Sequence, residues 1–262
     1  MKLIKSTLLT ALVLCVAVIT PAQSQEPPKS SSVKFGDKMI VIPYPEGFEE
    51  GISQFESVKQ FFTGMKAPDT ETLLAHLSDS DCNLLRSGSR PRLNLYTTVA
   101  VVKSQREVKA SDADIVTLVA RSRKTDALVL NPDGPAFKSI EERAERLYLK
   151  ERSAEVEIDF QEAQDLGEFD VRPEVYSVML LMSYKMNRGG TQSIRTGVGS
   201  MTWLRVGQRI LHISVHHKIS SPQALKTELK PAVIEVKRFT TKWVNEILAA
   251  NAEKKLMQSQ CF

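Results

Sequence analysis

The strongest alternation of apolar and polar positions lies in the second half of the chain. Residues 176–186 place apolar side chains at every second position, which is the period of a β-strand. Turn residues follow at 187–190, and a Gly-Gln pair within 206–209 suits a two-residue hairpin loop. This pattern predicts a three-stranded antiparallel meander in which Trp203 faces His212.

The last long segment has the period of a helix. From Leu229 to Ala250, apolar side chains recur at intervals of three or four residues. Ser221 is a suitable N-cap and Pro222 suits the first helical position, whereas Pro231 predicts a kink or a restart. We therefore predict a long C-terminal helix whose apolar stripe packs on the meander.

Shorter elements are predicted before the meander. A β-branched run predicts a strand at residues 38–42. Residues 52–86 have helical spacing in two pieces, and the second helix opens near Asp69 and carries His76. Residues 92–103 alternate as a strand does.

Two further helices and a strand are predicted between residue 103 and the meander. Residues 111–114 resemble a capping box that starts a helix. A highly charged helix is predicted at about 137–152, with Glu142 and Arg146 as an i, i+4 pair on an exposed face. That face is also a candidate for binding a partner. Residues 155–160 alternate like a strand at a solvated sheet edge.

These elements predict an α+β fold. It comprises an antiparallel sheet that includes the C-terminal three-stranded meander, is packed by helices and is closed by the long C-terminal helix. We expect a single domain at 37–253, preceded by a flexible Pro- and Ser-rich linker at 23–36 and followed by a tail at 254–262.

The first 22 residues have the three-part pattern of a cleavable secretory signal. Lys2 and Lys5 are positive, residues 7–19 are apolar, and cleavage is expected after Ala22. An uncleaved anchor is the alternative, but the apolar stretch is shorter than the about 20 residues of a spanning helix. We expect a periplasmic or secreted bacterial protein without a transmembrane span after cleavage.

Charge excludes one class of partner. The signal contains two of the 35 basic residues and none of the 31 acidic ones, so the remaining chain is nearly balanced. Nucleic-acid binding needs a concentrated basic surface, and we therefore expect no nucleic-acid partner. A hydrophobic fraction of 42% is enough to bury a core.

Cys82 and Cys261 are the cysteines that remain after removal of the signal. Two cysteines in an oxidising compartment favour a disulfide, and we predict this pair. The alternative is a buried thiol at Cys82 and an unpaired cysteine in the tail. No CxxC motif supports a redox or catalytic thiol.

The histidines do not have the spacing of a metal site. His212, His216 and His217 lie in one predicted strand, where His212 and His216 share a face about 13 Å apart. All ligands of one zinc ion must lie about 2 Å from it, so we predict no metal and no cofactor. We interpret these histidines as polar residues on a partly exposed sheet face, with His212 stacked on Trp203.

Glycine-rich and acidic segments are weaker candidates. The segments at 188–191 and 196–200 lie in or beside predicted strands, so neither opens a helix for phosphate binding. Acidic residues that could hold a cation or act as acid and base are Glu46, Glu49, Glu50, Asp79 and Asp81. We interpret them as residues of solvated loops.

Four short stretches resemble uncharacterised exported bacterial proteins of similar size. They are IPYPEGF at 42–48, LGEFD at 166–170, LRVGQRIL at 204–211 and WVNEILAAN at 243–251. More distantly, the opening proline-glycine strand, the antiparallel sheet and the closing helix are similar to the PsbP-like fold. That resemblance implies a noncatalytic accessory or assembly protein, and it implies no catalytic residues.

We therefore expect a noncatalytic periplasmic accessory or binding protein whose partner is another envelope protein or a small ligand. The alternatives are a hydrolase or transferase with a site assembled from sequence-distant residues, and an envelope structural protein. A deep pocket with convergent titratable groups favours the enzyme, and an exposed apolar groove favours partner binding. The oligomeric state stays open.

Overall fold

The computed structural model describes residues 29–64, 69–129, 138–139, 141–146 and 156–259. Within these ranges the strands are β1 (Ser30–Phe35), β2 (Lys38–Pro43), β3 (Phe48–Glu50), β4 (Thr70–Ser78), β5 (Leu95–Val102), β6 (Val156–Arg172), β7 (Val175–Arg188), β8 (Thr191–Val206) and β9 (Arg209–Ile219). The helices are α1 (Glu56–Gly64), α2 (Asp79–Arg86), α3 (Asp112–Val129) and α4 (Leu225–Ser259), and residues 138–139 and 141–146 are also helical.

The strands form a two-stranded hairpin and one larger sheet. β1 pairs with β2, and the other strands pair antiparallel in the order β3-β4-β5-β9-β8-β7-β6. β3 and β6 are therefore the two edges of the larger sheet. The α+β class, the antiparallel sheet and the long C-terminal helix are as the sequence predicts.

Helices cover both faces of the larger sheet. On the face that we call the α4 face, α4 packs on β8 and β9, with Trp243 buried in one core with Leu211 and Val175. On the opposite face, the α3 face, Ile115 of α3 packs with Tyr176. Val175 and Tyr176 are consecutive residues of β7, so their side chains point to opposite faces.

The β1–β2 hairpin packs on α4. Phe35, Ile40 and Ile42 belong to the same core as the apolar stripe of α4. The indole NH of Trp243 donates a hydrogen bond to the carbonyl oxygen of Pro43 at 2.8 Å. The hairpin, α4 and the sheet therefore share one core.

The predicted meander is confirmed. β7, β8 and β9 pair in sequence order, and Trp203 lies opposite His212 in the register of β8 and β9. Half of the predicted capping box is present, because the NH of Ser111 donates to Asp114 Oδ2 at 2.6 Å, while the Ser111 hydroxyl donates to the same oxygen. The strand predicted at 155–160 begins β6, which continues to Arg172.

The second helix predicted within 52–86 is wrong in its first part. Residues 70–78 form β4, between β3 and β5, and a helix begins only at Asp79, where Ser78 Oγ accepts from the NH of Asp81. Leu74 to Leu77 are buried in succession because both faces of β4 are covered. A strand buried on both faces loses its alternation, and its apolar run is then indistinguishable from a helical one.

The boundaries of two other segments also differ from expectation. The linker predicted at 23–36 is too long, because Ser30–Phe35 form β1 and pair with β2. The predicted restart at Pro231 is not found, because α4 runs through this residue as one helix. The helix α4 continues to Ser259, so its last residues lie in the segment predicted to be a tail, 254–262.

Other predictions fall wholly or partly outside the described residues. The signal at 1–22, Cys261 and half of the helix predicted at 137–152 belong to this group. In the described part of the chain, no helix combines the length and the apolar character needed to cross a membrane.

Candidate functional site

The histidines of β9 make ring contacts with aromatic neighbours and do not converge on one point. On the α3 face, His212 meets Trp203 edge-on with ring centroids 5.8 Å apart, and His216 stacks on Tyr96 at 4.7 Å. His217 alternates onto the α4 face, beside a glutamate of α4. Among the described residues, no group of three or more potential ligands could hold a metal ion.

His76 lies in β4, not on the predicted helix, and is fully buried. Its Nδ1 lies 3.0 Å from Thr97 Oγ1, and its ring contacts the rings of Tyr44 and Trp243. Burial lowers the pKa of His76 to about 3, because desolvation disfavours the charged imidazolium. His76 is therefore a neutral side chain of the core.

Cys82 is buried at the start of α2. Its Sγ lies 3.9 Å from the carbonyl oxygen of Leu77. Burial, together with the charge of Glu49, raises the pKa of the thiol to about 12, which disfavours the reactive thiolate near neutral pH. Its predicted disulfide partner, Cys261, lies outside the described residues, and the pairing stays a prediction.

The acidic residues near residue 50 hold the chain in place. Glu50 is buried, and its carboxylate accepts from the NH groups of Ile52 at 2.7 Å and Ser53 at 2.8 Å. Glu49 pairs with Arg86 of α2, and this hydrogen bond lowers the pKa of Glu49. Glu49 and Glu50 are thus engaged in the turn before α1 and its contact with α2.

The remaining acidic candidates are also engaged in local structure. Asp81 is buried and accepts from the backbone NH of Arg92 at 2.6 Å. Asp79 opens α2, and Glu46 forms an ion pair with Lys242 of α4 at 2.9 Å. Asp81 and the buried Glu50 differ from the expectation of solvated loops, and Asp81 ties the start of α2 to the chain before β5.

The glycine-rich segments lie in a turn and in a strand of the larger sheet. Gly189 and Gly190 have φ of +55° and +78° in the turn between β7 and β8, where glycine is favoured. Gly199 lies within β8, and a Cβ there would be 3.3 Å from Nδ1 of His216. The glycine therefore gives space to the imidazole that stacks on Tyr96.

A shallow depression of about 360 Å³ lies at the start of α3. Its lining residues are Lys109, Ala110, Ser111, Asp112, Arg205 and Gln208. Arg205 forms an ion pair with Asp112, so these opposite charges bind each other. The depression is therefore lined by charges of both signs, two of which neutralise each other.

The outer edge of β6 is the most unusual polar feature of the described chain. The backbone NH groups of Ile158 and Phe160 donate to side-chain carboxylates, to Glu145 Oε1 at 2.9 Å and to Glu141 Oε1 at 2.7 Å. These two amides point away from β7, since backbone groups alternate between the two sides of a strand. Two glutamates one helical turn apart thus take the place of carbonyl oxygens from a neighbouring strand.

The helical segment that carries these glutamates rests on the α3 face of the sheet. Ala144 is buried and packs with Ile158, Tyr184 and Met186. Its neighbours Glu141 and Glu145 reach over the edge of β6 from this anchor. The contact therefore consists of a small apolar cluster and two carboxylate–amide hydrogen bonds.

Farther along the same edge, α3 is joined to β6 by an ion pair. Arg123 donates to both carboxylate oxygens of Glu168, at 2.6 Å each, and Tyr176 Oη donates to Glu168 Oε1 at 3.0 Å. The hydrogen bond from Arg123 lowers the pKa of Glu168. Val116 of α3 and Val171 of β6 expose 65% and 52% of their surface on this part of the molecule.

Sequence reasoning missed this edge as a site. It predicted a charged helix at 137–152 and an edge strand at 155–160 as neighbours along the chain. It did not predict that Glu141 and Glu145 bond the strand. The i, i+4 spacing of the two glutamates was the available signal, because that spacing places both carboxylates on one side of a helix.

Comparisons with known proteins give little help with function. No protein-family model matches the chain, and no curated protein matches it. Solved structures that resemble it include that of the Ran-binding protein Mog1p of Saccharomyces cerevisiae. This likeness covers 85% of the present chain and 93% of Mog1p, with 10% sequence identity and a TM-score of 0.35. A TM-score this low carries no argument about fold or function.

Proposed function

We propose that the protein is a noncatalytic binding protein of the bacterial periplasm, and that it holds another envelope protein through the outer edge of β6. The observation that carries this proposal is the bonding of Ile158 and Phe160 by Glu145 and Glu141. An edge strand offers unpaired backbone groups that readily bind another strand. Partner proteins commonly use such an edge by adding a strand to it.

Three further points support the proposal. Three of the histidines take part in packing: His76 is buried, and His212 and His216 are packed against aromatic rings. The signal-like first 22 residues support export. The resemblance to the PsbP-like fold also favours an accessory or assembly protein.

Site-specific photocrosslinking in the envelope of living bacteria tests the proposal. A photoreactive residue at Gln164, which is exposed on β6, should crosslink to one discrete partner. The matched control is the same residue at Lys59 of α1, whose side chain is 54% exposed and lies near the opposite edge of the sheet. Equal labelling from both positions, or none from Gln164, would show that β6 is not the binding edge.

A further inference from the structure

We propose that the occupant of the β6 edge is an extended, lysine- or arginine-rich segment of the partner protein, which displaces Glu141 and Glu145 and pairs with β6 as an additional strand. This inference rests on the proposed function and names the chemistry of the partner. It is argued from the hydrogen bonds at the edge, from the charge of β6 and from the arrangement of its side chains.

The hydrogen bonds at the edge identify the type of group that can replace the glutamates. The NH groups of Ile158 and Phe160 require acceptors, and they have them in two carboxylate oxygens. The carbonyl oxygens of an extended peptide have the same spacing as these two amides, because both strands repeat every second residue. An incoming strand can therefore accept both hydrogen bonds and leave no amide unsatisfied.

The charge of β6 selects a basic occupant. Its sequence, VEIDFQEAQDLGEFDVR, contains six acidic residues and one basic residue, and two of the acids, Glu168 and Asp170, form ion pairs with arginines. Displacement of Glu141 and Glu145 adds two carboxylates that lose their amide partners. Lysine or arginine side chains on the incoming strand can pair with these groups, whereas acidic side chains would face like charges.

The same charge argues against a second copy of this chain at the edge. Antiparallel pairing of β6 with another β6 would bring two strongly acidic strands side by side, and like charges opposite each other destabilise a strand pair. Dimerisation through β6 is therefore disfavoured. A partner of opposite charge is the occupant that the composition of the strand favours.

The arrangement of the acidic side chains along β6 favours a partner strand with a basic residue at every second position. Glu157 and Asp159 lie opposite Asn187 and Lys185 in the register of β6 and β7, and both are exposed. Each is one residue away from Ile158, which packs on the α3 face, so both acids project from the α4 face. Basic side chains at every second position of an incoming strand would meet them.

The other end of the edge offers apolar surface on the α3 face. Val171 lies opposite Tyr176, which belongs to the α3 face, and is exposed. Val116 lies two helical turns before Arg123, the residue that binds β6, and therefore lies on the same side of α3. Aliphatic side chains between the basic ones could cover this surface, so the preferred segment alternates basic and aliphatic residues.

Fluorescence anisotropy with the signal-free chain tests the inference. The probe is a labelled peptide of about nine residues that alternates Lys and Val, a length typical of a strand. We expect saturable binding, with an affinity at least about tenfold higher than that of the matched Glu-Val peptide. Equal affinity for the two peptides would contradict the basic partner.

Backbone methylation separates strand addition from simple charge attraction. Two versions of the Lys-Val peptide carry N-methyl groups on alternate residues, one on the odd and one on the even positions. Because only one set of amides faces β6, one version should lose binding and the other should keep it. If both bind like the parent peptide, the attraction is electrostatic only and the inference fails.

Charge variants of the protein locate the contact. The double variant Glu157→Gln, Asp159→Asn should weaken binding of the Lys-Val peptide by about tenfold or more. The matched control, Glu56→Gln with Asp79→Asn, removes the same charge from α1 and α2 and should leave the affinity unchanged. Equal weakening in both variants would place the peptide away from β6.

The crosslinking experiment and the peptide-binding experiment together distinguish failure of this inference from failure of the proposed function. Crosslinking from Gln164 reports use of the edge whatever the partner's charge. Successful crosslinking without binding of the Lys-Val peptide would overturn the basic partner and leave the binding edge intact. Failure of both would overturn the proposed function as well.

Discussion

The side chain of Asn251 on α4 binds both backbone groups of Val41 on β2. Its Oδ1 accepts from the NH of Val41 at 2.9 Å, and its Nδ2 donates to the carbonyl oxygen of Val41 at 2.8 Å. One amide side chain thus imitates a strand partner, as the carboxylates of Glu141 and Glu145 do on β6. An amide satisfies both a donor and an acceptor of the strand, whereas a carboxylate satisfies donors only.

Replacement of Asn251 should destabilise the protein. Asn251→Ala leaves two partly buried backbone groups of β2 without their partner, and we expect a loss of about 1–3 kcal/mol in the free energy of unfolding. Asn251→Asp is the matched control, because it keeps the acceptor and removes the donor to Val41. Urea unfolding measures both variants. A change below about 0.5 kcal/mol for Asn251→Ala would show that water replaces the amide without cost.

Trp243 should be among the most sensitive positions of the core. It is fully buried, and its indole NH donates to Pro43. Trp243→Ala should lower the free energy of unfolding by about 3–5 kcal/mol, through lost burial and the cavity that remains. Trp243→Phe should cost less because it keeps an aromatic ring. Ile234→Ala on the exposed side of α4 is the control and should stay within about 0.5 kcal/mol.

Protonation of His76 should make stability fall as the pH is lowered. In the folded chain its pKa is lowered to about 3 from an ordinary value of 6.5, so the unfolded state binds a proton first. The stabilising effect of the neutral ring is complete above about pH 6.5 and is lost as the pH falls toward about 3. Near pH 5 the expected slope approaches about 1.4 kcal/mol per pH unit.

A variant isolates the contribution of His76 to this slope. His76→Gln keeps a polar side chain beside Thr97 but cannot titrate, so its stability should change less between pH 6.5 and pH 5 than that of the parent chain. This window lies above the range in which most carboxylates titrate. Parallel stability curves for the two proteins would mean that His76 is not the titrating group.

The strands of the meander were predictable from sequence, and strand β4 was not. Their register follows from the Gly207–Gln208 turn, although β7 is buried on both faces from Val175 to Leu181. β4 was taken for a helix because Leu74 to Leu77 are covered on both faces. The hydrogen bonds from Ile158 and Phe160 depend on where a helical segment rests in space, and no local pattern encodes that.

Export should remove the first 22 residues. Thr20 and Ala22 provide the small side chains that a signal peptidase needs before the cleaved bond. N-terminal sequencing of the protein from the periplasm should therefore read Gln-Ser-Gln-Glu, starting at residue 23. Recovery of a chain that still begins with Met1 would contradict cleavage and the proposed location.

Loss of the β9 histidines should affect stability and leave partner binding unchanged. His212 and His216 contact Trp203 and Tyr96 on the α3 face, and these rings account for their positions. The double variant His212→Gln, His216→Gln removes both imidazoles, so a moderate loss of stability is expected because each ring contact contributes about 0.5–1.5 kcal/mol. Crosslinking from Gln164 should proceed as in the parent chain, because this position lies on the edge strand β6.

The double histidine variant should be compared with a variant at the outer edge of β6. Changing Val171 to Lys should weaken partner capture, because a charge on the exposed apolar surface opposes an incoming basic strand, while the fold should tolerate a lysine at a half-exposed position. Crosslinking yield and far-UV circular dichroism measure the two effects separately. If the histidine variant folds and is exported but loses the partner while Val171→Lys keeps it, the functional surface lies on β9, and the enzyme interpretation regains support.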